Sequence, residues 1–239
     1  MDMGGDMFVG VIVASIVMIV VMVAAAVVAA IGRARHRDRL AALAANRGWT
    51  YTPSNRSLPS TWSPGRFGRR LPFTSGTASD IMTGRHRGHR FTAFTAITTR
   101  TSTDTDGHSS TDRTYFGVVV LQLPAPLPNV AVEREGFGAR IAKFFGGEDI
   151  EIGSPAFDSA FRVRSDDPEF VRTLLTPDLV AWLMARNRSA GPLIIMGGDL
   201  MTWHKGSLDH KTLPTTLTGL ATFASRISDD VWGMWGTAR

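Results

Sequence analysis

The segment TYFGVVVLQLP, residues 114–124, decides the fold, because it is the strongest strand pattern in the chain. β-Branched and aromatic residues fill most of it, and these residue types fit the pleated surface of a sheet. Polar residues precede the segment and Pro124 closes it. The pattern predicts a strand, and the segments on either side indicate which elements surround it.

The segments immediately upstream predict an antiparallel sheet. ASDIMTGRH (78–86) and RFTAFTAITTR (90–100) are separated by a short stretch around Gly88 that suits a tight hairpin turn. A segment rich in Ser, Thr and Asp then leads into the strand at 114–124. We expect a mobile loop over residues 100–113, because a segment of this composition buries little apolar surface.

Weaker patterns lie on both sides of this sheet. GWTYT (48–52) predicts a short strand, and residues 53–72, which are rich in Pro, Ser, Gly and Arg, predict an irregular connector. Downstream, GARIAKFF (138–145) predicts a short helix that ends at paired glycines, and AFRVR (160–164) predicts a strand.

The C-terminal third carries three helix patterns. Asp167 and Thr176 each precede a proline, so each can cap a helix whose first position is that proline. A third helix covers roughly residues 214–227, where apolar residues recur at helical spacing. Between these patterns, PLIIMGGDLMTWHKG (192–206) predicts a hairpin that turns at its paired glycines.

Strands followed by helices, without a regular alternation of the two, indicate an α+β fold with a mainly antiparallel sheet packed with C-terminal helices. We expect this domain to cover residues 48–239, which is long enough to bury one sizeable core.

The N-terminal segment predicts a membrane anchor. From Met7 to Gly32 no side chain is charged, and Ser15 is the one clearly polar residue. A helix of that length spans about 39 Å, whereas the hydrocarbon core of a bilayer is about 30 Å thick. A soluble core helix would show a polar face, and a cleaved signal peptide would begin with basic residues rather than with Asp2 and Asp6. We therefore expect an uncleaved, single-pass transmembrane helix over residues 7–32.

The charges that flank this anchor predict its orientation. Four arginines lie within residues 33–39, directly after the apolar run, whereas residues 1–6 carry only acidic side chains. Basic residues at a membrane end stay in the cytoplasm. We expect residues 1–6 to be external, followed across the cell membrane by a basic juxtamembrane helix at 33–47 and a cytoplasmic domain. The absence of cysteine fits a reducing compartment.

Positive charge is concentrated next to the anchor. Residues 33–90 hold twelve Arg against two Asp, a net +10, whereas residues 91–239 hold fourteen Lys or Arg against seventeen Asp or Glu, a net −3. Anionic headgroups attract juxtamembrane basic residues, and no known nucleic-acid-binding motif accompanies these arginines. The distribution favours a lipid surface over nucleic acid. The arginines that we expect to face lipid are Arg33, Arg35, Arg37, Arg39, Arg66, Arg69, Arg70, Arg85, Arg87 and Arg90.

Motifs that would indicate a reaction are absent from the sequence. No phosphate-binding loop, nucleophile elbow, dinucleotide fingerprint or zinc-protease motif occurs, and we expect no metal and no cofactor. WHKGSLDH brings His204, Ser207, Asp209 and His210 close in sequence, which leaves a Ser-His-Asp site as a catalytic alternative. Triads are assembled across a fold rather than along a chain, so we favour a polar loop before a helix.

Four tryptophans allow two interpretations. Trp182, Trp203, Trp232 and Trp235 would suit either a ligand pocket or the core. Large aromatic side chains at regular spacing usually belong to a core, so we favour core packing.

FDSAFRVRSDDPEFVRTLLTPDLVAWLM followed by PLIIMGGDLMTWHKG resembles the signature of an uncharacterised bacterial, actinobacterial-type family of membrane-anchored proteins. The resemblance covers residues 157–205, and it extends loosely to the layout of an anchor followed by a domain. It implies a single-pass protein with a cytoplasmic α+β domain. It implies no reaction, and no catalytic residue carries over from it.

Together these features favour a membrane-tethered cytoplasmic interaction module, or an accessory subunit of a membrane protein complex, with its basic face toward the inner leaflet. Its partners would be the bilayer and another membrane or cytoplasmic protein. Two alternatives stay open. One is an inner-leaflet hydrolase or transferase with a site at residues 204–210, and the other is a sensor of anionic lipid. An enzyme is the less favoured of these interpretations.

Overall fold

A computed structural model of the chain describes residues 3–62, 71–104, 107, 109–135, 149–186 and 190–236. The chain divides into two compact units, Met1–Ala42 and Leu43–Arg239. The first is helical, and the second contains the sheet and the remaining helices.

One long helix, α1, extends from Met3 to Arg47. Within its segment Ile16–Arg47, an 18-residue window reaches a mean hydropathy of 2.6, so by length and composition this helix could cross a membrane. The anchor predicted at 7–32 and the basic helix predicted at 33–47 fall within this one continuous helix. The helix ends where Gly48 takes a left-handed φ of 65°. There the Trp49 amide donates to the Ala44 carbonyl at 2.8 Å, a common helix stop at glycine.

Within the described residues, six strands form one antiparallel sheet in the order β1-β2-β3-β4-β5, with β6 paired to the other edge of β4. The strands are β1 (Thr50–Asn55), β2 (Thr77–His86), β3 (His89–Thr103), β4 (Ser109–Arg134), β5 (Phe161–Ser165) and β6 (Leu193–Lys205). The decisive segment at 114–124 lies within β4, the central and longest strand. It pairs with β3, β5 and β6 along different parts of its length.

Helices that lie between β4 and β6 in the chain, and after β6, confirm the α+β prediction. They are α2 (Pro155–Asp158), α3 (Pro168–Leu174), α4 (Pro177–Ala185), α5 (Leu213–Ala224) and α6 (Asp229–Trp235), and a 3₁₀ turn covers Pro59–Trp62. Both predicted caps are formed. The Asp167 carboxylate accepts from the Phe170 amide at 2.9 Å, and the Thr176 hydroxyl accepts from the Leu179 amide at 3.3 Å.

One face of the sheet packs against the aromatic residues that follow β1. Trp62 stacks on Phe94 of β3, with ring centroids 5.6 Å apart and an angle of 11° between the planes. Phe73 meets Trp203 of β6 edge to face. These four side chains belong to one buried cluster, so the connector between β1 and β2 supplies part of the core.

Helices cover the other face. α5 and α6 both lie against β4, and α5 buries Leu217, Leu220 and Phe223. Thr95 of β3 follows Phe94 and so points away from the aromatic cluster. Its hydroxyl accepts from the Leu208 amide at 2.9 Å, which fixes the turn before α5 on this face.

The prediction of a hairpin over residues 192–206 is wrong. β6 is continuous through the paired glycines, and Gly197, with a φ of 58°, pairs with Leu127 of β4. The register with β4 shifts on both sides of Leu127. Pro124 lies in the stretch of β4 where the ladder is interrupted, and proline has no amide hydrogen to donate. The glycines therefore accommodate an irregular ladder instead of reversing the chain.

The prediction of a loop over residues 100–113 is wrong for most of that segment. β3 and β4 extend through it as a hairpin, paired from Thr99 with Arg113 to Thr103 with Ser109. Hydroxyl groups interact across the strands, with 2.9 Å between the oxygens of Ser102 and Ser110. Threonine favours strands, and this local preference prevails over the polar composition. The helix predicted at 138–145 lies outside the described residues.

Candidate binding pocket

A cavity of about 570 Å³ opens between α4, β6 and α5. Trp182 of α4 forms part of its wall, followed by Arg186 and Gly191 beyond that helix. β6 contributes Thr202, Trp203 and His204, and the start of α5 with its preceding turn contributes Lys211, Thr212, Thr215, Thr216 and Gly219. Cavities of this size commonly hold small organic ligands.

Two guanidinium groups meet beside this cavity. Arg134 of β4 donates to the carbonyl groups of Met184 and Arg186, each at 3.0 Å, and its guanidinium lies 4.7 Å from the ring centre of Phe161. Arg186 donates to the Gly191 carbonyl at 3.0 Å and lies 6.0 Å from the ring centre of Trp182. Burial, and then the charge of Arg134, lower the pKa of Arg186 to about 10. Within the described ranges, neither arginine has a carboxylate partner.

The walls of the cavity are closely fitted where β6 meets its neighbours. A Cβ atom at Gly117 of β4 would lie 2.4 Å from the His204 ring, so the absence of a side chain at Gly117 leaves room for the imidazole. A Cβ atom at Gly191 would lie 2.1 Å from the Trp203 carbonyl oxygen and 2.9 Å from the Thr202 hydroxyl. Substitution at either glycine would displace a residue that lines the cavity.

The structure does not assemble the catalytic alternative as a triad. His204 approaches the backbone carbonyl of Ser207 at 3.3 Å, not its hydroxyl. The Nδ1 atom of His210 lies 3.0 Å from the carboxylate of its sequence neighbour Asp209. His204 lines the cavity, whereas Ser207, Asp209 and His210 do not. The observed contacts are those of a polar turn before a helix.

The arginines expected to face lipid fall into three groups. Those at positions 33, 35, 37 and 39 lie on α1, and their exposed side chains alternate between two sides of the helix. Arg66, Arg69 and Arg70 lie outside the described residues. Arg85, Arg87 and Arg90 lie at the tip of the β2–β3 hairpin and are exposed.

A second, more open groove lies beside this hairpin. Arg85 and Arg90 line it together with Trp62 and Asp199, and the Trp62 indole donates to the Asp199 carboxylate at 2.9 Å. The groove therefore has a carboxylate next to its arginines, unlike the cavity between α4, β6 and α5.

His86 and His89 at the same hairpin have separate partners. His86 lies 3.1 Å from the Thr218 hydroxyl of α5, and His89 lies 3.2 Å from the Gln122 carbonyl. Burial, and then the neighbouring charges of Arg87, Arg47 and His89, lower the pKa of His86. These neighbouring positive charges disfavour binding of a further cation at the hairpin.

The sequence indicated parts of this pocket without joining them. Trp182 and Trp203 were candidates for a pocket, and both line the cavity, although Trp203 also belongs to the core. Trp235 instead packs on Phe170 and donates to Asp167 at 3.1 Å. Arg186 carried no signal of its own, because its role depends on contacts between elements that are distant in sequence.

No family model matches the chain, and no curated protein matches its sequence. A solved structure that is similar to it is the crystal structure of the mycobacterial trehalose monomycolate transport factor A, TtfA, with a TM-score of 0.56. The alignment covers 80% of this chain and 93% of that chain at 14% sequence identity. The likeness shows a shared fold.

Proposed function

We propose that the chain is a membrane-tethered accessory module whose α+β domain binds a protein partner within a membrane complex on the cytoplasmic side. The observation that carries this proposal is the combination of one apolar helix, able to span a bilayer, with a compact domain in the same chain. An anchor of this kind restricts a domain to the membrane, where it meets other membrane proteins at high local concentration.

The similar solved structure supports this kind of role. That protein is named as a transport factor for trehalose monomycolate. A domain of the same fold, tethered in this chain by its apolar helix, would serve here as an accessory factor to a transport complex.

The charge distribution supports the cytoplasmic orientation. The net charge of +10 over residues 33–90 follows the apolar segment directly. Basic residues at that position hold the following chain on the cytoplasmic side. There, Arg85, Arg87 and Arg90 would face the anionic inner leaflet, and each near the surface would add about 1 kcal/mol of attraction.

Native electrophoresis of membranes from the organism of origin tests the proposal. After extraction in a mild detergent, we expect the full chain in a particle with at least one other protein. A matched version, in which residues 7–32 are replaced by an unrelated single-span helix, should enter the same particle, because the domain makes the contact. A chain that migrates alone, or only with copies of itself, would contradict an accessory role.

A further inference from the structure

Two cationic side chains, Arg186 and Lys211, line the cavity between α4, β6 and α5, together with His204. Among the described residues, its lining includes no Asp or Glu. Arg186 is half-buried, and a cation that is withdrawn from water is normally paired with an anion. Here Arg186 is held beside a second guanidinium, that of Arg134, whose own donors go to the carbonyls at the end of α4.

The cavity wall also contains aromatic and hydroxyl-bearing side chains, which could contact the uncharged part of an organic ligand. The Trp182 indole offers an aromatic surface, and it packs on Phe223, with ring centroids 6.1 Å apart, so its position is fixed by the core. Threonines in and just before the start of α5, including Thr216, also line the cavity. Thr216 donates to the Thr212 carbonyl at 3.0 Å, and its oxygen can still accept one hydrogen bond.

We propose that this cavity binds a phosphate-bearing organic ligand, with the phosphate between Arg186 and Lys211 and its organic part against Trp182. A planar guanidinium donates to two phosphate oxygens at once, and an ammonium group adds a third donor. A phosphate offers more acceptor oxygens than a carboxylate, so it can accept from the guanidinium and the ammonium group at the same time. Binding would also relieve the repulsion between Arg186 and Arg134.

The alternative explanation is that Arg186 has only a structural role, which would account for its hydrogen bond to Gly191 but not for the cavity. A substitution at Gly219 distinguishes this structural role from ligand binding. It lies on α5 in the cavity wall, and a Cβ atom there meets nothing within 4 Å. The variant Gly219→Leu would therefore fill the cavity without a clash at its Cβ, and leucine is favoured over glycine inside a helix.

Calorimetric titration of the full chain in neutral detergent micelles with glycerol 3-phosphate, at low salt, tests the proposal. We expect saturable binding that Gly219→Leu abolishes and Lys211→Gln weakens by about tenfold, because one charged hydrogen bond is lost. The matched controls are Gly233→Leu, at an open position on α6, and Lys205→Gln, an exposed lysine at the end of β6. Both should bind as the wild type does.

The same titration contains the results that would overturn the proposal. Absence of saturable binding up to millimolar glycerol 3-phosphate would do so, and so would unchanged affinity in Gly219→Leu. Circular dichroism of each variant, compared with the wild type, distinguishes a loss of affinity from a loss of the folded structure. If Gly219→Leu fails to fold, the test is the affinity of Lys211→Gln for glycerol 3-phosphate compared with that of Lys205→Gln. Equal affinities of these two variants would reject the proposal.

A competition experiment distinguishes a lipid headgroup from a soluble phosphate compound as the natural ligand. Phosphatidylglycerol added to the micelles should displace glycerol 3-phosphate if the natural ligand is a lipid headgroup, whereas diacylglycerol, which lacks the phosphate, should not. Binding of glycerol 3-phosphate that phosphatidylglycerol leaves unchanged assigns the cavity to a soluble phosphate compound.

Discussion

Exchange of Glu133 for Gln should remove a pH-dependent cost from the folded domain. Glu133 of β4 is 1% exposed, and neither of its carboxylate oxygens has a hydrogen-bond partner among the described residues. Its nearest cation, Arg164, lies 3.6 Å away and is bound more closely by Asp149, at 2.9 Å. Burial raises the pKa of Glu133 from 4.5 to about 7, against the attraction of Arg164.

The sign and size of the effect follow from this pKa. Because the pKa is raised in the folded state, the folded protein keeps a proton that the unfolded chain has lost. Stability therefore falls as pH rises from 4.5 to about 7, and it levels off above that value. A change from 4.5 to about 7, at about 1.4 kcal/mol per pKa unit, corresponds to about 3 kcal/mol. Glu133→Gln should thus match the wild type near pH 4.5 and exceed its stability by about 3 kcal/mol at pH 8.

Urea unfolding of the full chain in neutral detergent micelles, followed by tryptophan fluorescence between pH 4.5 and pH 8, measures this difference. Glu135→Gln is the matched control, since Glu135 is exposed and its ion pair with Arg162, at 2.7 Å, lies in solvent. An exposed pair contributes less than about 1 kcal/mol. If wild type and Glu133→Gln keep a constant difference across the pH range, the assignment of a buried, proton-binding Glu133 is wrong.

Two further predictions concern the helix caps and the basic hairpin. Thr176→Ala should lower the free energy of unfolding by about 1 kcal/mol, and Asp167→Ala should lower it further, because Asp167 also accepts from Trp235 at 3.1 Å; equal losses in urea unfolding would refute the second contact. The double variant Arg85→Gln and Arg90→Gln should reduce the fraction of residues 40–239 that sediments with anionic vesicles at low salt. If the unsubstituted domain sediments equally with neutral and with anionic vesicles, lipid binding is refuted.

The sequence predicted those elements whose signal is local. Asp167 and Thr176 cap helices through their own side chains, so a few consecutive residues contain the whole interaction. The apolar segment of α1 is similarly self-contained, because its length and lack of charge suffice to identify it. The strand pattern at 114–124 fell at the centre of the sheet for the same reason.

The errors arose where the partner strand decides the structure. Gly197 is equally suited to a turn and to an irregular strand, and the interruption in β4 selects the strand. The polar segment after Arg100 becomes a hairpin only because each half pairs with the other. The cavity could not be predicted for a similar reason, because Trp182, Lys211 and His204 belong to different segments of the chain and come together only in the fold.

The proposed function depends on the orientation of the chain in the membrane. The chain contains no cysteine, so a single introduced one reports its own position. Ser110→Cys places the thiol at an exposed position near the β3–β4 turn, and Gly5→Cys places it before the apolar segment. The measurement is labelling of each variant with a membrane-impermeant maleimide in intact and in opened cells. The account predicts that Ser110→Cys reacts only after the cells are opened, while Gly5→Cys reacts in intact cells. Labelling of Ser110→Cys from outside would contradict the cytoplasmic domain and the proposed function with it.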